Sequence, residues 1–287
     1  MNPKTLYTAA LMLLLTGCSM SQMVVRTSTP MLEGGITAMN HEADLTLAKD
    51  AMPASLKMLE GMLEKDPGNG LLQEYAAQGF YGYSYGFIED EDPHRASELY
   101  RRGFDHAQQA LRAAGLKLDV LSVRQQDLEP AVASLDRKAL PALFWGASCL
   151  AKWIDMNRTD PMMIAQLGKA AVLMDKVLLL DDSYYYGGAH LFFGVYYGSR
   201  APMFGGDYAR SRLHFELARK ITDGKLLIGD LLYAQYLARQ EQNQQAFHDK
   251  LSAVIAAPAD LFPEMALVNG IAQHKAKMLL KQESEWF

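Results

Sequence analysis

The run Leu143-Phe144-Trp145-Gly146-Ala147-Ser148-Cys149-Leu150 reads as a helix built for close packing. Trp145 precedes a glycine, and Cys149 follows that glycine by three residues. Bulky, small, bulky at this spacing puts the small residue between two large ones on one helix face, so a neighbouring helix can approach there. The pattern returns in Tyr81-Gly82 with Tyr85 and in Phe193-Gly194 with Tyr197. Tyr233-Ala234 with Leu237 is a fainter fourth copy.

The segments after these copies have a spacing of their own. Ala96-Tyr100-Gly103, Ala170-Met174-Val177 and Ser211-Phe215-Ala218 each step by four and then by three. Breakers separate the segments: Asp66-Pro67-Gly68-Asn69-Gly70, Asp90-Glu91-Asp92-Pro93, Thr159-Asp160-Pro161, Asp181-Asp182-Ser183, Gly205-Gly206-Asp207 and Thr222-Asp223-Gly224. Most place an Asp or Ser where it can cap the next helix. No segment sustains the period-two alternation of a strand. The expected fold is all-α, with antiparallel helix pairs forming degenerate tetratricopeptide-like repeats in a superhelix or a compact bundle. The copies lie 64, 48 and 40 residues apart, against ~34 for a regular tetratricopeptide unit, and an unrelated helical bundle is the alternative. Leu116 to Asp136 is expected to be a long loop with a short helical turn.

The start of the chain speaks about location. Lys4 and the apolar run Leu6 to Leu15 have the form of a secretory signal, too short to span a bilayer comfortably. Leu15-Thr16-Gly17-Cys18 has the form of a bacterial lipobox. Residues 1–17 are therefore expected to be a lipoprotein signal peptide and Cys18 the lipidated residue; a plain signal peptide with an incidental cysteine is the alternative. Acyl chains contribute about 0.8 kcal/mol per buried methylene, so several of them anchor a protein firmly. Residues 18–30 read as a polar tether and 31–287 as the helical domain. Ser19, where an aspartate favours inner-membrane retention, points to the outer membrane with the protein facing the periplasm.

Composition narrows the function. The 287 residues are 49% hydrophobic and 21% charged, with a formal net charge of -5, which argues against a nucleic-acid partner. With Cys18 lipidated, Cys149 is left without a disulfide partner, and its apolar surroundings fit an inert thiol. There is no His-Glu-x-x-His, no Gly-x-Ser-x-Gly and no phosphate-binding loop, so neither an enzyme nor a metal or cofactor protein is expected. An enzyme whose groups assemble from separate helices is the remaining catalytic alternative.

Three regions are candidates for binding. Asp182 to Tyr197 carries so many aromatic residues, Tyr185 and Tyr197 among them with His190, that they cover more than one helix face. Some are free to line a cavity, or all form core; tyrosine suits a cavity because its ring packs while its hydroxyl bonds. The loop Arg200-Ala201-Pro202-Met203-Phe204-Gly205-Gly206-Asp207 either folds Met203 and Phe204 over a pocket, with Arg200 facing an anion, or is a capped turn with Phe204 buried and Asp207 as the cap. The helix holding Tyr81 and Tyr85 contains Gly79, Gly82 and Gly86, which fit very close packing or a ligand channel. Trp145 belongs with these aromatics.

Finally, Leu63-Glu64-Lys65-Asp66-Pro67-Gly68-Asn69-Gly70-Leu71-Leu72, Ala76-Ala77-Gln78-Gly79-Phe80, Leu99-Tyr100-Arg101-Arg102-Gly103, Leu143-Phe144-Trp145-Gly146, His190 with Gly194, Gly205-Gly206-Asp207 and His214-Phe215-Glu216 follow in an order that resembles the TatT family. This is the lipoprotein T component associated with some tripartite ATP-independent periplasmic (TRAP) transport systems. The resemblance runs from about Leu32 to Leu280, with Asp182 standing where relatives often have proline. It implies cryptic tetratricopeptide-like units, often an oligomer, a periplasmic solute-binding protein as partner, and a hydrophobic or organic-acid small molecule as ligand. The expected function is thus a T component that docks a solute-binding protein and holds or relays its ligand, the alternative being a cell-envelope assembly scaffold without a ligand.

Overall fold

The computed structural model describes residues 20–287. Residues 1–17 and Cys18, expected as signal peptide and lipidation site, lie outside the described residues. Among those described there is no strand, so the all-α expectation holds. In chain order the helices are α1 (Met20–Thr27), α2 (Thr29–Asn40), α3 (Leu45–Leu63), α4 (Gly70–Tyr83), α5 (Pro93–Ala113), α6 (Gln125–Ala133), α7 (Leu140–Met156), α8 (Pro161–Ile164), α9 (Leu167–Leu180), α10 (Tyr184–Gly198), α11 (Tyr208–Ile221), α12 (Ile228–Leu232), α13 (Gln244–Ala256), α14 (Ala266–Lys281) and α15 (Glu283–Trp286).

The breaker residues end and start these helices as their chemistry dictates. The side chains of Asp44, Asn69, Asp92, Asp160, Asp207 and Asn243 each accept a hydrogen bond from a backbone N–H of the following first turn, satisfying donors the helix cannot. Ser183 makes no such bond at α10. Leu116 to Asp136 is more ordered than expected: α6 occupies nine residues and buries Leu128 and Val132. The segment expected as a tether is also helical from Met20. Val25 of α1 packs with Leu59, Leu63 and Leu72, and Leu32 joins them from α2. Arg26 Nε lies 2.9 Å from Asp66 Oδ2. Val25 and Leu32 are seven residues apart, two helical turns, and so fall on one side, while their apolar neighbours Met23, Val24 and Met31 stay exposed.

Helix pairs meet where the small residues stand. A Cβ on Gly103 of α5 would lie 2.9 Å from Cys149 Sγ of α7 and 3.2 Å from Phe80 Cβ of α4. Along α10 and α11 the close approaches run antiparallel: Gly187 against Ala218 and Ile221, Gly194 against Phe215, Gly198 against Ser211. Ser211 Oγ then donates a 2.6 Å bond to the Gly194 carbonyl, made possible by that closeness. The four-then-three positions are the buried face of their helices; Tyr100, Ala170, Met174, Val177 and Ser211 have essentially no exposure.

The largest core cluster joins Phe104 and Leu111 of α5 to Leu143 and Leu150 of α7 and Leu173 and Met174 of α9. A second, around Phe247, Leu251 and Ala272, holds α13 to α14. Two helices loosen into π-helical turns, Ser84–Ile88 after α4 and Tyr233–Ala238 after α12. Such wide turns shift the side chains that follow and occur often at functional sites.

Glycines at contacts and glycines at open positions should behave oppositely. Gly194→Ala puts a methyl 2.8 Å from the Phe215 ring and is expected to cost about 1–3 kcal/mol. In Gly82→Ala the new Cβ meets only Met52 Cε at 3.6 Å, so relief of the mid-helix glycine is expected to stabilise by up to ~1 kcal/mol. Urea unfolding of both variants measures the two signs.

Candidate functional site

A cavity of about 470 Å³ is lined by residues of both clusters and of several other helices. Its walls come from α2, α3, α4, α7, α10 and α14, with Tyr236 from the second π turn. The lining is mostly apolar: Met39, Met52, Leu56, Phe144, Phe192, Val195 and Ile271 are representative. An apolar chamber of this size, with a few polar groups at defined points, is what small-molecule sites look like.

Four of the aromatic residues singled out from sequence meet along this wall. Tyr81 stacks on Tyr85 at 6.1 Å between ring centroids, Tyr81 meets Trp145 at 5.6 Å, and Trp145 meets Tyr185 edge-on at 4.8 Å. Arg200 lines the cavity as well. The others stand elsewhere. His190 and Tyr197 are turned to α11, where His190 Nδ1 is 3.0 Å from His214 Nδ1 and Tyr197 stacks on the His214 ring. Met203 and Phe204 sit in a 3-10 turn with 82% and 69% of their surface exposed. They neither cover the cavity nor fill the core. Asp207 caps α11 through the Arg210 N–H.

Tyr185 reaches the cavity through unusual backbone. Tyr185, Tyr186 and Gly187 have φ values of 47°, 59° and 77°. The left-handed region is cheap for Gly187 but costs roughly 1–2 kcal/mol for each tyrosine. The helix expected to run unbroken through these aromatics therefore starts with a left-handed turn. That turn sends Tyr185 into the large cavity and Tyr186 into a smaller one of about 160 Å³. Burial pushes the Tyr185 hydroxyl up to about 12.

One end of the cavity is ionic, and sequence reasoning missed it. Glu89, just past the first π turn, accepts from Lys275 at 2.9 Å, from Lys152 at 2.9 Å and from the Tyr100 hydroxyl at 2.6 Å. Lys152 also bonds Asp155 at 3.1 Å, and Asp155 accepts from the Tyr236 hydroxyl at 3.0 Å and pairs with Arg158. Burial alone would raise Glu89, but the charges of Lys152 and Lys275 and the bonds to Tyr100 and Lys152 outweigh it and hold its carboxyl below the usual value. Lys275 Nζ lies 4.5 Å from the centre of the Tyr85 ring. The Tyr85 hydroxyl is buried with no hydrogen-bond partner. The available signal was a lysine, Lys152, directly after the run Leu140 to Ala151, in which Ser148 is the one polar side chain.

Charge accounting along the wall leaves one cation over. Lys152 and Arg158 are neutralised by Glu89 and Asp155. Arg200 has no carboxylate partner among the described residues; it donates to the Tyr196 carbonyl at 2.9 Å and lies over the Tyr196 ring. Cys149 is fully buried, its thiol pushed up by burial, and it donates weakly to the Ala77 carbonyl. No group of three His, Cys, Asp or Glu among the described residues is placed to hold a metal. No helix among them is long and apolar enough to cross a membrane.

The geometry defines a helical protein with a partly open, ligand-sized, mainly apolar cavity that has ion pairs built into its wall. The sequence matches the family described as the TRAP transporter T-component over residues 41–287, nearly all of its length. The chain belongs to that family, which has an accessory role in TRAP transport systems. No curated protein matches the sequence.

One variant tests the ionic end and another the histidine pair beside α11. Lys275→Met strips Glu89 of one of its two lysines and is expected to cost about 3 kcal/mol in urea unfolding, as for breaking a buried pair. The histidine pair sets a pH slope. Burial, with the neighbouring His190 and Arg210, lowers His214 from 6.5 to about 4. Between those values the unfolded chain binds the proton and the folded one does not, so this group's contribution to stability falls as pH falls. Glu74, which burial raises to about 7, works in the opposite sense across much of the same window. Comparison with His214→Gln isolates the histidine: the variant should lose less thermal stability than the parent between pH 7 and pH 5.

Proposed function

We propose that this T component holds an amphipathic organic acid in its central cavity and presents it to a periplasmic solute-binding protein. The carrying observation is the cavity of about 470 Å³, mostly apolar with an ionic end, in which Arg200 is the described lining cation without a carboxylate partner. The tail of such an acid packs on Tyr81, Trp145 and Tyr185, whose rings offer flat apolar surface at little entropic cost. Its carboxylate pairs with Arg200, since the other lining cations are already neutralised. Catalysis plays no part in this reading. The exposed pair Met203 and Phe204 follows Arg200 directly in the chain and offers apolar surface for the partner protein.

The remaining features belong to the same proposal. Lipidation at Cys18 fixes the chain to the outer membrane and faces it to the periplasm. The pairs α4–α5, α7–α9, α10–α11 and the second π turn with α13 are degenerate tetratricopeptide-like units, an architecture that suits partner binding.

The test uses the full lipidated chain. Titration with the anionic dye anilinonaphthalene sulfonate is expected to show binding, weakened about tenfold in Arg200→Gln and abolished in Ala151→Trp, which fills the cavity. Crosslinking in cells is expected to capture a periplasmic solute-binding protein, and Phe204→Ala to lose it while the helical circular dichroism stays intact. Capture of envelope-assembly proteins alone, with no dye binding, would replace the proposal with a scaffold.

A further inference from the structure

The cavity has one wall unlike the others. Met31, Leu32, Gly35, Ile36, Met39 and Asn40 of α2 all line it, and their spacing of one, three, one, three, one puts them on a single helix face. Yet α2 has no buried residue. Its ends are pinned by Leu32, which joins the Leu59 and Leu72 cluster, and by Met39, which touches the Met52 and Leu267 clusters. Between these pins stand Gly34 and Gly35, around whose Cβ positions nothing lies within 4 Å.

Apart from Pro30 in its first turn, the local features of α2 make it a weak helix. Two consecutive glycines in mid-helix cost backbone entropy with no packing in return. Ser28, at its N-cap position, makes no side-chain capping bond. Among the described residues, Arg26, just before α2, pairs with Asp66, and the Tyr75 hydroxyl donates to Glu33 Oε1 at 3.2 Å. Segments with few buried contacts open at a small fraction of the global free energy.

We propose that α2 is a lid over the cavity, and that ligand enters and leaves when residues 29–40 locally unfold or swing on the Glu42–Asp44 connection. The route rests on the reading of the cavity as a ligand site, whereas the opening does not depend on it. Closed, the lid turns this stripe, apolar at Met31, Leu32, Ile36 and Met39 and polar at Asn40, toward whatever fills the chamber. Open, it exposes Met52, Leu56 and Tyr75 beneath.

Gly34 separates the two statements because it does not line the cavity. In hydrogen–deuterium exchange of the full chain, the amides of 29–40 are expected to exchange at least a hundredfold faster than those of α7. Gly34→Ala should slow that exchange about fivefold, and Gly34→Pro should abolish the protection of the segment while leaving α7 unchanged. Stopped-flow uptake and release of anilinonaphthalene sulfonate should slow about fivefold in Gly34→Ala and accelerate in Gly34→Pro. Protection of 29–40 equal to that of α7, or dye rates identical in all three proteins, overturns the lid. Altered protection with no dye uptake in any of them overturns the ligand reading and leaves the hinged helix standing.

Discussion

A carboxylate buried among cations organises this molecule. Glu89 receives Lys152 from α7, Lys275 from α14 and the Tyr100 hydroxyl from α5. Lys152 extends the network to Asp155, and through it to Tyr236 in the second π turn. Desolvating so many charges is worthwhile only when each is answered, and here the geometry answers them. The consequence is mechanical. Helices from both halves of the chain are tied at one point, and the space beside that point can stay open without the walls collapsing into it.

The two π turns belong to this arrangement. Each occurs where a helix approaches the ionic end, and each contributes a tyrosine, Tyr85 or Tyr236, to the lining. The left-handed tyrosines at the start of α10 do a related job on the opposite wall. Backbone strain of this kind persists where the surroundings over-determine it, and Tyr185 is held by Phe144 and Trp145 on one side. Tyr186 is held by Phe262 on the other. Apolar filling, ionic closure and local strain thus act on one chamber, although they arise in segments far apart in sequence.

Much of the architecture was legible beforehand. The bulky-small-bulky pattern marked the close approach at Gly194 and the four-then-three pattern the one at Gly103, because a helix contact needs a missing side chain at a fixed period. Gly82, in the same pattern as Gly194, stands nearly open. Capping aspartates marked the starts of helices for the same local reason. Burial within the four-then-three positions followed too. The site was only half legible. Tyr81, Tyr85, Trp145 and Tyr185 share the cavity, but His190 and Tyr197 occupy the opposite face of α10, and a helix so rich in rings does not reveal which face is inward. The Met203–Phe204 turn lies open because Asp207 and the two glycines satisfy it locally. Least legible was the ionic end: Glu89 and Lys275 look like surface charges until the fold brings them together. The docked start of the domain was hidden as well, since nothing in the sequence separates Val25 and Leu32, which are docked, from Met23, Val24 and Met31, which are exposed.

Glu89 and Lys275 are 186 residues apart. Most helices here pair with near neighbours in the chain, and such contacts form early and fast. This one cannot form until the penultimate helix exists. A chain growing from its N-terminus therefore assembles its helix pairs first and acquires its chamber last, when a single lysine arrives to complete a charge that has waited half-answered. The protein is in that sense a clasp: removing its final turns would not shorten it but leave it unfastened.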